Sequence, residues 1–188
     1  MSRWFKGDGD HAQPDARQSS GTDPEFLKRL QAGDERAWEA LLQQWQQPLY
    51  RYLCYTLSDA EQASDILGET LVALVQAIQN FDGRVALSTF IFKIASNKTI
   101  DYWRKKKLTT YSLSWELPVD GPNSRWLELQ EALATLPEEY RQALLLRYHI
   151  GLSVTEVAEV LGKSYKATES LLSRGRKRLK AALKGASE

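Results

Sequence analysis

A chain of 188 residues with 43% hydrophobic content is long enough for one domain or two small ones. Its 25 basic and 24 acidic residues leave a net charge of +1, so affinity for nucleic acid has to come from local patches. One cysteine, Cys54, excludes an intramolecular disulfide, and with only two scattered histidines, His11 and His149, the usual zinc ligand sets are missing.

The longest uninterrupted apolar run, 71–75, falls far short of the roughly 20 residues that span a bilayer. The first 25 residues hold no apolar core of a secretory signal. The sequence contains no GxxxxGK[ST], GxSxG or HExxH motif. The resulting expectation is an all-α, cytoplasmic protein that is not an enzyme, uses no metal or cofactor and makes no stable membrane insertion.

Residues 1–23 are polar and read as a disordered extension, with Trp4 and Phe5 its only large apolar residues. They read as tail rather than as a docking motif. Residues 24–107 read as a helical domain. Asp23-Pro24 starts its first helix, whose apolar face is Phe26, Leu27 and Leu30, and Gly33-Asp34 ends it. A second helix carries Ala37, Trp38, Leu41, Leu42 and Trp45, with Pro48 marking a kink or a restart before Leu49, Tyr52, Leu53 and Leu57. Cys54 reads as a small core residue there.

Ser58-Asp59 offers an N-cap to one long helix, 60–79, with Ala63, Ile66, Leu67, Thr70, Leu71, Leu74, Val75 and Ile78 inward and Asp59, Glu61, Asp65 and Glu69 on another face. A turn-rich loop around Gly83 follows, then a helix over 89–107 that ends in Arg104, Lys105, Lys106 and Lys107. Cations at a helix C-terminus are favoured by the macrodipole, so this run alone does not separate nucleic-acid binding from helix stabilisation. Residues 108–125 bring β-branched residues, Pro118, Gly121 and Pro122, and read as an extended linker.

The last domain, 126–184, opens with a helix carrying Leu127, Leu129, Ala132, Leu133 and Leu136. Pro137 sits at the first turn of the next, with Glu138 and Glu139 at its positive end and Tyr140, Leu144, Leu145 and Tyr148 inward. Val154, Val157, Ala158 and Leu161 then make one face of a short helix, with Ser153 and Glu156 spaced as a capping box. Gly162 ends it, and Ser164 N-caps a second helix whose inner face is Thr168, Leu172, Gly175, Leu179 and Leu183. From 163 to 184 there are eight Lys or Arg and one acid, Glu169. A helix-turn-helix with a basic outer face suits the major groove and the phosphate backbone. A solvated hairpin capping a bundle has the same pattern.

Three blocks now stand in order: DAEQASDILGETLVALVQAI (59–78), STFIFKIASNKTIDYWRKKK (88–107) and LATLPEEYRQALLLRYHIGLSVTEVAEVLGKSYKATESLLSRGRKRLK (133–180). Together they resemble the extracytoplasmic-function (ECF) sigma factors of the sigma-70 family, the group that keeps only regions 2 and 4. The resemblance covers about residues 24–184. It implies two small helical domains joined by an extended linker: region 2 over 24–107, the linker 108–125, and region 4 over 126–184.

The resemblance also implies roles. The face with Asp65, Gly68, Glu69 and Gln76 is similar to region 2.2, which docks on the β′ clamp helices of core RNA polymerase; a solvated acidic face is the plainer reading of the same residues. The loop 82–88 and the following helix are similar to regions 2.3 and 2.4, which melt the −10 element and hold a flipped-out base, a capture that stacking and edge contacts can supply. Arg84, Phe90, Lys93, Asn97, Lys98, Arg104 and Lys105 are the −10 candidates, with Phe92, Tyr102 and Trp103 as further aromatic surface or core. The −35 candidates are Ser164, Lys166, Glu169, Ser170, Ser173, Arg174 and Lys177. Implied partners are core RNA polymerase (β′ clamp helices and β flap), promoter DNA and an anti-sigma factor, which can hold such a protein at the membrane. Phe90 stands where a Trp is frequent in the family, and Glu169 and Leu171 where many members have basic residues. A Glu accepts from cytosine N4 but repels phosphate, so Glu169 shifts the −35 preference or faces a neighbouring helix. Two other functions fit the residues without the resemblance: a repressor or activator that binds duplex DNA alone, and a helical adaptor that binds only proteins.

Overall fold

The structure, a computed structural model, describes residues 22–106 and 124–185, with backbone alone at 106, 124–127 and 185. The expectations for the N-terminal tail, for the linker and for Lys107 and Leu127 lie largely outside these residues. Eight α-helices make the described fold, and no strand occurs among the described residues.

The first body is α1 (Pro24–Gln31), α2 (Glu35–Leu57), α3 (Ala60–Ala77) and α4 (Leu87–Lys106). Each of the first three starts on an aspartate, Asp23, Asp34 or Asp59, whose carboxylate accepts from backbone N–H groups of the first turn. Such caps contribute about 1 kcal/mol each. Helix α2 runs unbroken through Pro48, so no restart occurs there. The carbonyl that loses its donor belongs to Gln44, which is exposed and can be hydrated. Leu30, Leu41, Leu49, Tyr52, Leu53, Leu74, Ile78, Ile91 and Phe92 fill the centre. Phe92 is therefore core, and its ring meets Tyr52 and Trp45 edge-on at 5.3 and 6.0 Å. Helix α3 stops at Ala77 and tightens into a 3₁₀ turn at Ile78–Asn80. Val75, expected inward, is 52% exposed.

Helix α4 begins at Leu87, so Leu87 and Ser88 belong to it and the loop shrinks to 82–86. That loop is held. Thr22 donates from its hydroxyl to the Val85 carbonyl at 3.1 Å and from its N–H to that of Gly83, so Thr22 is not free tail. Gly83 takes φ +73°, so any side chain there is strained, and its Cβ would also press on Leu27 Cδ2 at 3.2 Å.

The second body is α5 (Ser124–Ala134), α6 (Glu138–Leu144), α7 (Val154–Leu161) and α8 (Tyr165–Gly185). Helix α5 starts two residues earlier than expected. Pro137 is the cap of α6 rather than its first helical residue, and α6 widens into a π-turn at Leu145–His149 that the sequence pattern does not signal. The capping box of Ser153 and Glu156 and the left-handed Gly162 are as expected. Leu171 is buried, which explains why no basic residue stands there.

The two bodies share one continuous core and are not independent, contrary to what a long linker suggests. The reason is a buried polar pair on α6. Arg141 Nη1 donates to the Thr56 carbonyl (2.8 Å) and Ser58 Oγ (3.3 Å) of the first body, while Nη2 donates to the carbonyls of Ala134 (2.8 Å) and Leu136 (3.1 Å) of its own. One guanidinium thus serves the C-terminal ends of α2 and α5, where a positive charge is favoured. Gln142 Nε2 donates to Thr99 Oγ1 at 2.8 Å, and its Oε1 accepts from Ser96 Oγ at 3.2 Å.

His149 lies across the same junction, edge-on to Tyr55 at 5.2 Å. Burial, with the Arg51 charge adding to it, pulls its imidazole down to about 4. The unfolded chain binds that proton near pH 6.5. The contribution is therefore fully present above pH 6.5 and is lost as pH falls from there towards 4. We expect stability to fall by about 2–3 kcal/mol over that window from this group alone. Urea midpoints at pH 7 and 4.5 should separate less in His149→Asn than in the parent; equal separations would sink the assignment.

Candidate nucleic-acid and polymerase interfaces

Helix α8 is placed by its inner face. Thr168, Leu171, Leu172 and Leu179 are buried, and a Cβ on Gly175 would lie 3.4 Å from Tyr140 and Leu144 of α6. Arg178 lies over the Tyr140 ring at 5.0 Å. Ser164 caps the helix, accepting from the Ala167 N–H at 3.2 Å. The structure brings all seven −35 candidates together: Ser164, Lys166, Glu169, Ser170, Ser173, Arg174 and Lys177 are exposed on one side. Glu169 faces solvent rather than a neighbouring helix. Tyr165, 51% exposed at the head of α8, belongs to the same face. An aromatic next to a cap residue carries no periodic signal, and sequence reasoning missed it.

The −10 candidates divide. Phe90 is half-buried and stacks on Phe81 at 4.2 Å with 17° between planes, so one of its faces is already taken. Lys93, Asn97 and Arg104 follow on one helical stripe with Ile100, whose exposure the sequence did not reveal. Lys98 and Lys105 lie on the neighbouring stripe. Arg84 is on the loop, where Asp82 pairs with it at 3.1 Å. Most of these cations have a carboxylate beside them: Lys98 pairs with Glu69 at 3.1 Å, Arg104 with Asp101 at 2.8 Å, and Lys93 with Glu159 of α7. Exposed pairs of this kind contribute under about 1 kcal/mol, so a nucleic-acid phosphate can displace them.

The third surface is on α3. Asp65, Gly68, Glu69 and Gln76 are exposed and spaced to share a face. Val72 (61% exposed) and Val75 (52%) sit between them and make the stripe part apolar. Two exposed valines at i and i+3 on a helix that also buries Ala63, Ile66, Thr70 and Leu74 are the mark of a second, outward face. A Cβ on Gly68 would meet nothing within 4 Å, so packing within the chain does not call for glycine there.

No helix among the described residues is long and apolar enough to cross a membrane. A family model described as sigma-70 region 2 matches residues 41–109, and one described as sigma-70, region 4 matches 126–179. The chain is 30% identical over 178 residues to the ECF RNA polymerase sigma factor SigW of Bacillus subtilis, covering 84% of this chain and 95% of that one. It is 31% identical to the ECF RNA polymerase sigma factor SigC of Mycobacterium tuberculosis, covering 79% and 84%. Among solved structures it is similar to CnrH in complex with the cytosolic domain of CnrY, with a TM-score of 0.68 and 25% identity over 86% of this chain and 96% of that one. With both regions matched and full-length relatives aligned, the chain belongs to the extracytoplasmic-function group of the sigma-70 family, a transcription-initiation sigma factor.

Proposed function

We propose that the chain docks on core RNA polymerase through the α3 face and directs it to promoters by reading the −10 element with the 82–86 loop and α4 and the −35 element with α8. The observation that carries this is the separation of three exposed faces on three helices. One is acidic and apolar and fits a protein, and two are basic and fit a nucleic acid. Residues 24–107 act as region 2 and 126–184 as region 4, the latter also meeting the β flap. The protein acts without catalysis of its own, in the cytoplasm. The neighbour CnrH, solved in complex with the cytosolic domain of CnrY, supports a protein partner for this chain too; the partner we assign is an anti-sigma factor, which can hold it near the membrane.

The test is run-off transcription with core polymerase on promoters upstream of the protein's own gene. A specific transcript that requires both components supports the reading. Tight binding to duplex DNA without polymerase would favour a stand-alone repressor or activator instead. Within the same assay, Arg174→Ala with Lys177→Ala should weaken promoter binding by the holoenzyme. Losing two phosphate contacts should flatten the plot of log affinity against log salt by about 1.8. An unchanged slope would remove these two residues from the backbone contact.

A further inference from the structure

Helix α1 carries no DNA-binding candidate, yet it holds the segment that leads into and through the −10 loop. Gln31 Nε2 donates to the carbonyls of Ile78 and Phe81, both at 3.0 Å, and the Gln31 backbone carbonyl accepts from Gln79 Nε2 at 3.1 Å. Just before the helix, Thr22 donates from its hydroxyl to the Val85 carbonyl at 3.1 Å and from its N–H to the Gly83 carbonyl at 3.4 Å. Between these two anchors the Leu27 side chain lies against Gly83.

The carbonyls of Phe81, Gly83 and Val85 thus turn towards α1, and the residues between them, Asp82 and Arg84, are exposed. Asp82 accepts from the Arg84 N–H with one carboxylate oxygen and pairs with its guanidinium through the other, each at 3.1 Å, so the two side chains are set relative to one another. Phe81, whose carbonyl Gln31 holds, is buried and stacks on Phe90 of α4. Gln31 therefore seats one member of an aromatic pair that includes a −10 candidate. The frame behind these contacts is itself tied down. Asp23 caps α1, Trp38 Nε1 donates to the Leu30 carbonyl at 3.1 Å, and Arg29 pairs with Asp34 at 2.7 Å.

A loop built around a glycine has several accessible backbone conformations, and each presents a different set of side chains. Carbonyls held from one side select among them, because a carbonyl that loses its donor favours conformations in which it reaches water. A loop already in its reading conformation also avoids the ordering cost of binding. We propose that Gln31 and Thr22 are positioning residues for −10 recognition: through the backbone carbonyls of Ile78, Phe81, Gly83 and Val85 they set how Asp82, Arg84 and Phe90 meet the promoter strand. The inference rests on the assignment of the 82–86 loop and α4 as the −10 reader.

The experiment uses the full chain with core polymerase on the promoter upstream of its own gene, with the −10 and −35 positions randomised in separate libraries. Gln31→Glu keeps the shape of the side chain and replaces its donor with an oxygen that repels both carbonyls. Thr22→Val keeps the shape of threonine without its hydroxyl, and Thr22→Ser keeps the hydroxyl. In Gln31→Glu and in Thr22→Val, the transcription ratio of the preferred base to the next should fall about fivefold at one or more −10 positions, the low end of what one base contact contributes. Thr22→Ser should keep the parent's ratios. The −35 ratios should stay within about twofold of the parent's in all three, as expected for distant sites. A merely structural role would lower transcription from every promoter alike. Unchanged −10 ratios in both disruptive variants, or −10 and −35 ratios that fall together, overturn the positioning role. A shift in only one of the two overturns the role of the other residue. Thr22 precedes the first helix and is half-buried, so if Gln31→Glu does not fold, Thr22→Val decides alone. Arg84→Ala is run beside them. If it too leaves the −10 ratios unchanged, the loop is not the reader and the inference falls with that assignment. A shift in Arg84→Ala beside parent-like ratios in Gln31→Glu and Thr22→Val overturns the positioning role alone.

Discussion

Asp65→Arg combined with Glu69→Arg is expected to abolish binding to core polymerase, a loss of at least a hundredfold, while leaving the protein folded. Both side chains are exposed on α3 and both lie on the stripe that carries Val72 and Val75. Reversing charge on a solvated helix face costs little stability, usually within about 0.5 kcal/mol. Like charges brought together across an interface cost several kcal/mol. Glu69 also holds Lys98 at 3.1 Å, so its reversal disturbs a −10 candidate as well. Val72→Asp avoids that complication and should weaken the same complex. Gly68→Ala separates the two effects further. With open space at its Cβ it should stabilise the free helix by about 1 kcal/mol and weaken docking if polymerase approaches the backbone there. Co-purification with core polymerase, read beside circular dichroism, decides. Retention of the double variant on polymerase would place the docking face elsewhere.

Arg141→Ala should lower the free energy of unfolding by about 3–5 kcal/mol, because it leaves buried acceptors in both bodies without a donor. The acceptors are three carbonyls and one hydroxyl, at the ends of α2 and α5. Arg141→Lys should recover less than half of the loss. An ammonium lacks the planar fork that reaches two helix ends at once. Urea denaturation of both variants gives the measurement. A loss below about 1 kcal/mol in the alanine variant would mean that water replaces the guanidinium at no cost.

The helix-turn-helix was legible in the sequence because every boundary carries its own chemistry. Ser153 with Glu156, Gly162 and Ser164 satisfy orphan backbone groups by local contacts, and local contacts are visible in a linear pattern. The same holds for the face of α8, since an outward residue needs no partner. What was not legible depends on partners far away in the chain. Arg141 and Gln142 look like solvated residues beside Glu138 and Glu139, and only the approach of Thr56, Ser58, Ser96 and Thr99 makes them interior. Val75 was misplaced for a related reason. An apolar residue on a helix reads as inward, and a surface kept apolar for a partner has the same signature. Pro48 suggests a kink or a restart because its rule is local, while the one long helix through it is held by burial on both sides.

The close approach at Gly175 bears on how promoter choice can change over generations. Helix α8 is seated by its missing side chain against Tyr140 and Leu144 and by Thr168, Leu172 and Leu179, none of which reaches the outer side. The side chains of Lys166, Glu169, Ser170 and Ser173 are exposed, away from the buried face that seats the helix. Substitutions there are nearly neutral for folding, within about 0.5 kcal/mol. With α8 as the proposed −35 reader, descendants of this protein can exchange one target sequence for another by small steps, each viable, while the frame that presents the letters stays fixed.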